Sequence, residues 1–163
     1  MRLRIETACM DLALVYNPAL QAFDLGVSAA DLVGDDTLAS AVLVSLLCDR
    51  LAQTYEVLPG QDRRGWWADT YAADQHLTGS RLWLLEREKQ LPSVVQRCKR
   101  YCEEALAWLI EDDLASAITV TVFVPRTGWL AAMIKLAVNG QARNYRFEFD
   151  QAKQVWRLAG EGF

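Results

Sequence analysis

The dipeptide Asn139-Gly140, set between two long extended stretches, restricts the fold of this chain more than any other feature. A two-residue hairpin loop of the favoured kind needs positive φ at both central positions, which Asn and Gly tolerate best. The flanking stretches run from Trp129 to Val138 and from Gln141 to Phe149. A two-residue loop pairs Val138 with Gln141, Leu136 with Arg143, Ile134 with Tyr145 and Ala132 with Phe147. The apolar partners coincide away from the turn, so the register is self-consistent. Upstream, Ile118, Val120, Val122 and Val124 alternate with Thr119, Thr121 and Phe123 and end at Pro125-Arg126-Thr127-Gly128, the pattern of a third strand. Downstream, Asp150-Gln151-Ala152-Lys153 turns into a last short strand from Gln154 to Leu158. The C-terminal third is therefore predicted to be an antiparallel meander.

The middle of the chain changes period. From Leu38 to Gln53, Leu38, Ala41, Val42, Ser45, Leu46 and Asp49 share one helical side, with Leu43, Leu47 and Leu51 widening the apolar surface. Asp35-Asp36-Thr37 can supply its N-cap, and Cys48 reads as a core thiol. Gly79 to Lys89 reads as a short helix with Ser80 as N-cap, separated by Pro92 from a stronger helix over Ser93 to Glu111. In that helix Val94, Val95, Cys98, Tyr101, Cys102, Ala105, Leu106 and Leu109 form the apolar stripe. Before all this come short strand candidates: Leu3 with Ile5, then Asp11 to Tyr16 ahead of the Asn17-Pro18 turn, then Phe23-Asp24-Leu25. The expectation is an α+β fold, a single domain over residues 1–163. Helices pack on one face of a mainly antiparallel C-terminal sheet, with short N-terminal strands and a long central loop.

That loop, residues 54–80, cannot be explained by packing of a regular element. Asp62-Arg63-Arg64-Gly65-Trp66-Trp67-Ala68-Asp69 places two indoles after two guanidinium groups, with a glycine between and carboxylates on the flanks. A structureless segment of such length in a compact domain is usually functional or disordered, and Trp66, Trp67, Tyr71 and Leu77 weigh against disorder. Two readings are open, and they are not exclusive. The tryptophans fold back as a plug over the domain's own core, with the arginines pairing Asp62 or Asp69, or they form a surface completed by a partner.

Chemistry finds few handles. His76 is the single histidine, and nothing near it marks a nucleophile. Cys98 and Cys102 are four apart on a helix, but without CxxC pairs or a histidine cluster they read as small buried hydrophobes. Carboxylates abound (Asp62, Asp69, Asp74, Glu86, Glu88, Glu103, Glu104), yet they fit helix faces and loop ion pairs. No phosphate-binding glycine motif is present. No catalytic residue, metal site or cofactor is expected.

Charge limits the partners. A net charge of −4 weighs against an electrostatic grip on nucleic acid or an anionic membrane. That leaves base stacking by Arg63, Arg64, Trp66 and Trp67 a minor alternative. Met1 to Glu6 lacks the apolar core of a signal peptide, and no apolar run approaches the roughly 20 residues of a membrane helix. Four irregularly spaced cysteines suit synthesis in a reducing cytoplasm.

Several blocks together carry a resemblance. Phe23-Asp24-Leu25, Asp49-Arg50-Leu51-Ala52, the Asp62 to Asp69 run, Gly79-Ser80-Arg81-Leu82-Trp83-Leu84-Leu85 and Tyr101 to Leu109 resemble the baseplate protein family of Mu-like phages and prophages. The likeness spans roughly residues 11–149. Its departures are Leu51, where a second arginine is more typical, and Ala68, where glycine is common. The family is similar to the small wedge proteins of T4-like and type VI secretion baseplates. The resemblance implies a structural, non-enzymatic subunit of a contractile tail, assembled in the host cytoplasm and resident in the virion baseplate. It implies several copies in a symmetric assembly, docked to wedge, tube or sheath subunits, with neither nucleic acid nor membrane as partner. The expected partner-binding residues are Arg63, Arg64, Gly65, Trp66, Trp67, Asp69, Gly79, Ser80, Arg81 and Trp83. Relatives have carried a lysozyme label, so a peptidoglycan hydrolase at the tail tip is the alternative.

Overall fold

The structure, a computed structural model, describes residues 11–161 except 18, 21, 30, 36–37, 72–76, 89–90 and 154. The strand expected at Leu3 and Ile5, and the readings of His76 and Asp74, lie outside the described residues. The chain divides into two compact units, Met1–Val42 and Leu43–Phe163.

The first unit is built from short antiparallel ribbons. Its strands are β1 (Asp11–Leu12), β2 (Leu14–Asn17), β3 (Ala22–Leu25), β4 (Val27–Ser28), β5 (Asp31–Leu32) and β6 (Gly34–Asp35). They pair β1 with β6, β2 with β3 and β4 with β5. The three ribbons meet where Ala13, Gly26 and Val33 exchange backbone hydrogen bonds of 2.7–2.9 Å. Helix α1 (Ala39–Leu47) starts in this unit. One of its N-terminal amides finds a carboxylate of the expected capping segment: Ser40 N–H donates to Asp35 Oδ2 at 2.7 Å; Asp36 and Thr37 lie outside the described residues. Ser40 Oγ then accepts from Leu14 N–H at 3.0 Å and donates to Leu12 C=O at 2.8 Å.

The second unit carries the meander. Strands β7 (Ala117–Arg126), β8 (Trp129–Val138), β9 (Gln141–Asp150) and β10 (Val155–Glu161) lie in the order β10-β9-β8-β7. Val138 pairs with Gln141, Leu136 with Arg143, Ile134 with Tyr145 and Ala132 with Phe147, as the sequence predicts. Asn139 and Gly140 take φ of 50° and 76°. Leu130, Ala132, Ile134 and Leu136 of β8, with Tyr145, Phe147 and Phe149 of β9, are at most 5% exposed and form the core face. Helix α2 (Pro92–Leu106) packs against β7 and buries Val94, Cys98, Tyr101, Cys102, Ala105 and Leu106. No helix among the described residues is long and apolar enough to cross a membrane.

Several elements depart from the sequence reading. Helix α1 stops at Leu47 rather than Gln53, because the next residues pair in extended form with the Gly79-Ser80 block. Cys48 is consequently exposed, not a core thiol, and Leu51 is 40% exposed. Pro92 does not stand outside its helix but opens it, where a missing N–H costs nothing. That helix breaks at Ala107, and the short α3 (Trp108–Glu111) follows, fixed by Trp108 Nε1–H donating to Ser45 Oγ at 3.0 Å. The segment expected as a helix from Gly79 to Lys89 is one 3-10 turn, Leu82–Leu85. All four of its side chains are buried, so it has no polar face for an amphipathic helix to present to water.

Candidate docking site

The central loop is pinched at its base. Ser80 N–H donates to Cys48 C=O and Arg50 N–H to Ser80 C=O, both at 2.8 Å, which forms a parallel bridge between residues 48–50 and 80. The approach is close enough to require glycine at 79. A Cβ there would stand 2.3 Å from Cys48 O, and φ is +90°. Ser80 Oγ donates to Leu46 C=O at 2.6 Å and accepts from Leu82 N–H at 3.2 Å, so its hydroxyl joins the α1 exit to the 3-10 turn. Trp83, 2% exposed, donates from Nε1 to Arg50 C=O at 2.9 Å.

Above the pinch, Arg63 and Arg64 turn back against the body of the chain. Ala52 and Arg63 join through Ala52 N–H to Arg63 C=O at 3.0 Å and through the Arg63 guanidinium to Ala52 C=O. Arg64 lies in the left-handed region at φ 50°, with its N–H on Asp62 Oδ1 at 2.9 Å. Its guanidinium reaches Asp49 at 2.7 Å and Glu86 at 3.5 Å, and sits 4.5 Å from the Trp83 ring centroid. Asp62 therefore engages Arg64 only through its backbone N–H, and the guanidinium groups of Arg63 and Arg64 pair not with Asp62 or Asp69 but with Ala52 C=O, Asp49 and Glu86. Burial pushes the Glu86 carboxyl up, with Asp49 adding to the shift and Arg64 opposing it.

This anchoring reverses the chain at Gly65, whose φ is +105° and whose absent Cβ would lie 3.0 Å from Leu51 Cβ. The aromatic residues that follow point away from the core. Trp66 is 50% exposed, Trp67 73% and Tyr71 81%. They lie in a row, with ring centroids 6.1 Å apart for Trp66–Trp67 and 6.2 Å for Trp67–Tyr71, the latter edge-on. Trp67–Tyr71 is a 3-10 turn, closed by Thr70 Oγ1 on Trp67 C=O at 2.7 Å. Asp69 accepts Thr78 N–H at 3.1 Å and holds the far side of the loop. The plug over the core is not what forms.

Arg81 has a different setting from the other arginines. Its side chain is 7% exposed and pairs with Glu56 at 2.8 Å and with Glu104 of α2. Its guanidinium lies 4.9 Å from the Tyr101 ring centroid. Tyr101 O–H donates to Glu56 Oε1 at 3.0 Å, and Glu56 Oε2 takes Gln53 N–H at 2.7 Å. Burial works against the Arg81 charge, but the hydrogen bond and field of Glu104, with Glu56 adding, hold its proton above the ordinary range. Glu56 is not singled out by the sequence, and Tyr101 reads there as part of the apolar stripe and the family resemblance, not as a hydrogen-bonding partner. Only a partner for a buried arginine could have pointed to them.

Of the ten residues expected to meet a partner, the structure leaves Arg64, Gly65, Trp66 and Trp67 exposed and Arg63 and Asp69 half-buried. It buries Ser80, Arg81 and Trp83 within the chain and sets Gly65 and Gly79 at tight backbone turns. The described candidate carboxylates are engaged too: Asp62 with Arg64 N–H, Asp69 with Thr78 N–H, and Glu86, Glu88, Glu103 and Glu104 with Arg64, Arg97, Lys99 and Arg81. Cys98 and Cys102 are wholly buried, and the hydrogen bond between them, with burial, pushes the Cys102 thiol well up. Among the described residues no three His, Cys, Asp or Glu side chains group as a metal site would require.

The α+β scaffold thus pinches off a loop and presents its aromatic side chains to solvent. Residues 38–143 match the family described as Phage protein GP46, and the chain belongs to that family. It is 40% identical over 141 residues to "Baseplate protein gp46" of Escherichia phage Mu, covering 85% of this chain and 94% of the relative. It is 36% identical over 116 residues to "Mu-like prophage FluMu protein gp46" of Haemophilus influenzae strain Rd, covering 71% of this chain and 78% of that relative. The matched span includes the pinch, the loop, the 3-10 turn, the first two strands of the meander and the start of the third.

Proposed function

We propose that this protein is a structural subunit of a phage tail baseplate and that its Trp66–Trp67–Tyr71 ridge docks on neighbouring baseplate subunits. The reading covers wedge, tube or sheath partners of a contractile tail, several copies in a symmetric assembly, and the virion baseplate as location. Its role is assembly without catalysis. The observation that carries it is the exposure of three contiguous aromatic rings, 50–81% each, on a loop whose base is fixed by the pinch. Tryptophan and tyrosine bring large contact area at low entropic cost, and rigid presentation lowers the ordering cost of binding.

The engagement of the Arg63 and Arg64 guanidinium groups within the chain gives the contact a character. Their forked donors are spent on Ala52, Asp49 and Glu86, so they position the ridge rather than meet the partner. Glycine at 65 and 79, with Ser80, Arg81 and Trp83, forms the foundation beneath it. Docking is then dominated by apolar burial and depends little on salt. The test is complementation of a tail-assembly defect with Trp66→Ala/Trp67→Ala. The expected outcome is loss of the subunit from purified tails while the isolated variant keeps its thermal midpoint within about 2 °C, as for exposed sites. Normal incorporation would overturn the ridge as a docking surface, and unfolding would mean the rings serve the fold.

A further inference from the structure

The sheet face opposite the core is organised around a tryptophan held by two arginines. Trp129 starts β8, with the Arg126 guanidinium of β7 at 4.0 Å from its ring centroid and that of Arg157 of β10 at 4.7 Å. A one-residue bulge between Phe123 and Arg126 places Arg126 directly opposite Trp129, which re-aims the arginine onto this face. Arg157 continues into a second cluster. It and Arg146 both pair with Glu148, at 2.8 and 2.7 Å, and Arg146 lies 5.9 Å from the Phe123 ring centroid. Lys135, paired across the ladder with Asn144, extends the same face. Four cations, Arg126, Lys135, Arg146 and Arg157, thus stand against two carboxylates, Glu148 and Asp150, on a chain whose net charge is −4. Glu148 is 9% exposed and sits beneath the guanidinium groups, whereas the Arg157 side chain is 51% exposed. Phe123 and Val124 are 37% and 42% exposed at its β7 margin.

We infer that this face is a second docking surface, fitted to an acidic, partly apolar segment of a partner protein. Stacking on one indole presets both guanidinium forks, so a carboxylate meets donors already ordered. Carboxylates two residues apart on an extended segment are roughly 7 Å apart, a spacing suited to two arginines gathered at one ring. The apolar margin favours a peptide over a phosphate backbone, which the overall negative charge repels. This surface differs from the aromatic ridge in kind: its grip is electrostatic and salt-dependent. The inference goes beyond the ridge and does not depend on it.

The test uses the full chain and a probe peptide of alternating glutamate and leucine, followed by titration calorimetry. Saturable binding that weakens at least tenfold between 0.1 and 0.5 M NaCl, and at least tenfold with Arg126→Glu, is expected. Arg126→Glu leaves the Arg146–Glu148–Arg157 cluster intact, so the fold survives. Equal binding of the glutamine version of the peptide, no binding, or tighter binding of a DNA oligonucleotide would overturn the inference. In assembled tails, a photo-crosslinker at the exposed Thr121 should join a net-negative peptide of another subunit; a neutral or basic peptide, or a second copy of this chain, would overturn it. Absence of the protein from tails would instead sink the baseplate reading and leave the peptide result standing.

Discussion

Gly79 and Arg81, two residues apart, fail in different ways when changed. A Cβ at Gly79 meets the carbonyl of Cys48 at 2.3 Å, and that carbonyl cannot move without breaking the bridge it makes with Ser80. Gly79→Ala is expected to destabilise by more than the roughly 1–3 kcal/mol of a strained backbone alone, measured as a shift in urea midpoint. Arg81→Ala leaves Glu56 buried without its cation, and one-sided removal from a buried pair costs about 3–5 kcal/mol. Arg64→Ala differs again. Its pairs with Asp49 and Glu86 are partly exposed, so global stability should fall by less than about 1 kcal/mol while the ridge loses its anchor. The expected signature is an unchanged unfolding midpoint with faster hydrogen exchange at Trp66 and Trp67; unchanged exchange would show that Arg64 does not position the loop.

Among the elements, the meander was the most legible in sequence, because turn chemistry and cross-strand pairing agree on one register. Asn139-Gly140 and the apolar pairs Ile134–Tyr145 and Ala132–Phe147 give the same answer independently. The helices were legible in their apolar faces and not in their ends. Residues Cys48–Arg50 leave the helix because Ser80, some thirty residues on, offers them backbone partners, and no local propensity reports that. Buried Leu82–Leu85 likewise reads as helical in sequence because its environment is set by tertiary packing. The loop's composition was legible, but the direction of its arginines was not: Asp49 and Glu86 are brought to Arg64 by the fold. On the sheet, Glu148 gives a pH prediction. The Arg157 hydrogen bond, with Arg146 and against a cost of burial, holds its carboxyl below the ordinary range. The stability it contributes is therefore full above about pH 4.3 and is lost as pH falls through its lower folded value. Glu148→Gln should lower the urea midpoint at pH 7, with the gap to the parent closing below pH 4. A constant gap would remove the ion pair as its cause.

For the molecule as a whole, the two units differ in how their strands are supported. Among the described residues of the first unit the strands are two to four residues long and pair in twos, whereas β8 has a partner on both sides over ten residues. Opening free energy follows buried contact and ladder length, so amides of β8 should exchange slowest and those of β2–β5 at least a hundredfold faster. Equal protection would mean that the two units open together. The pinch between residues 48–50 and 80 also has an evolutionary reading. Because the pinch and the contacts of Glu56, Arg63 and Arg64 fix the lower part of the loop, lengthening the aromatic tip beyond Gly65 costs mainly chain closure, and doubling the length of such a segment adds about 0.6 kcal/mol. Insertions, deletions or exchanges of the aromatic tip can therefore accumulate without disturbing the sheet. The neck makes the tip a replaceable cassette, free to follow a changing neighbour while the body of the protein stays the same.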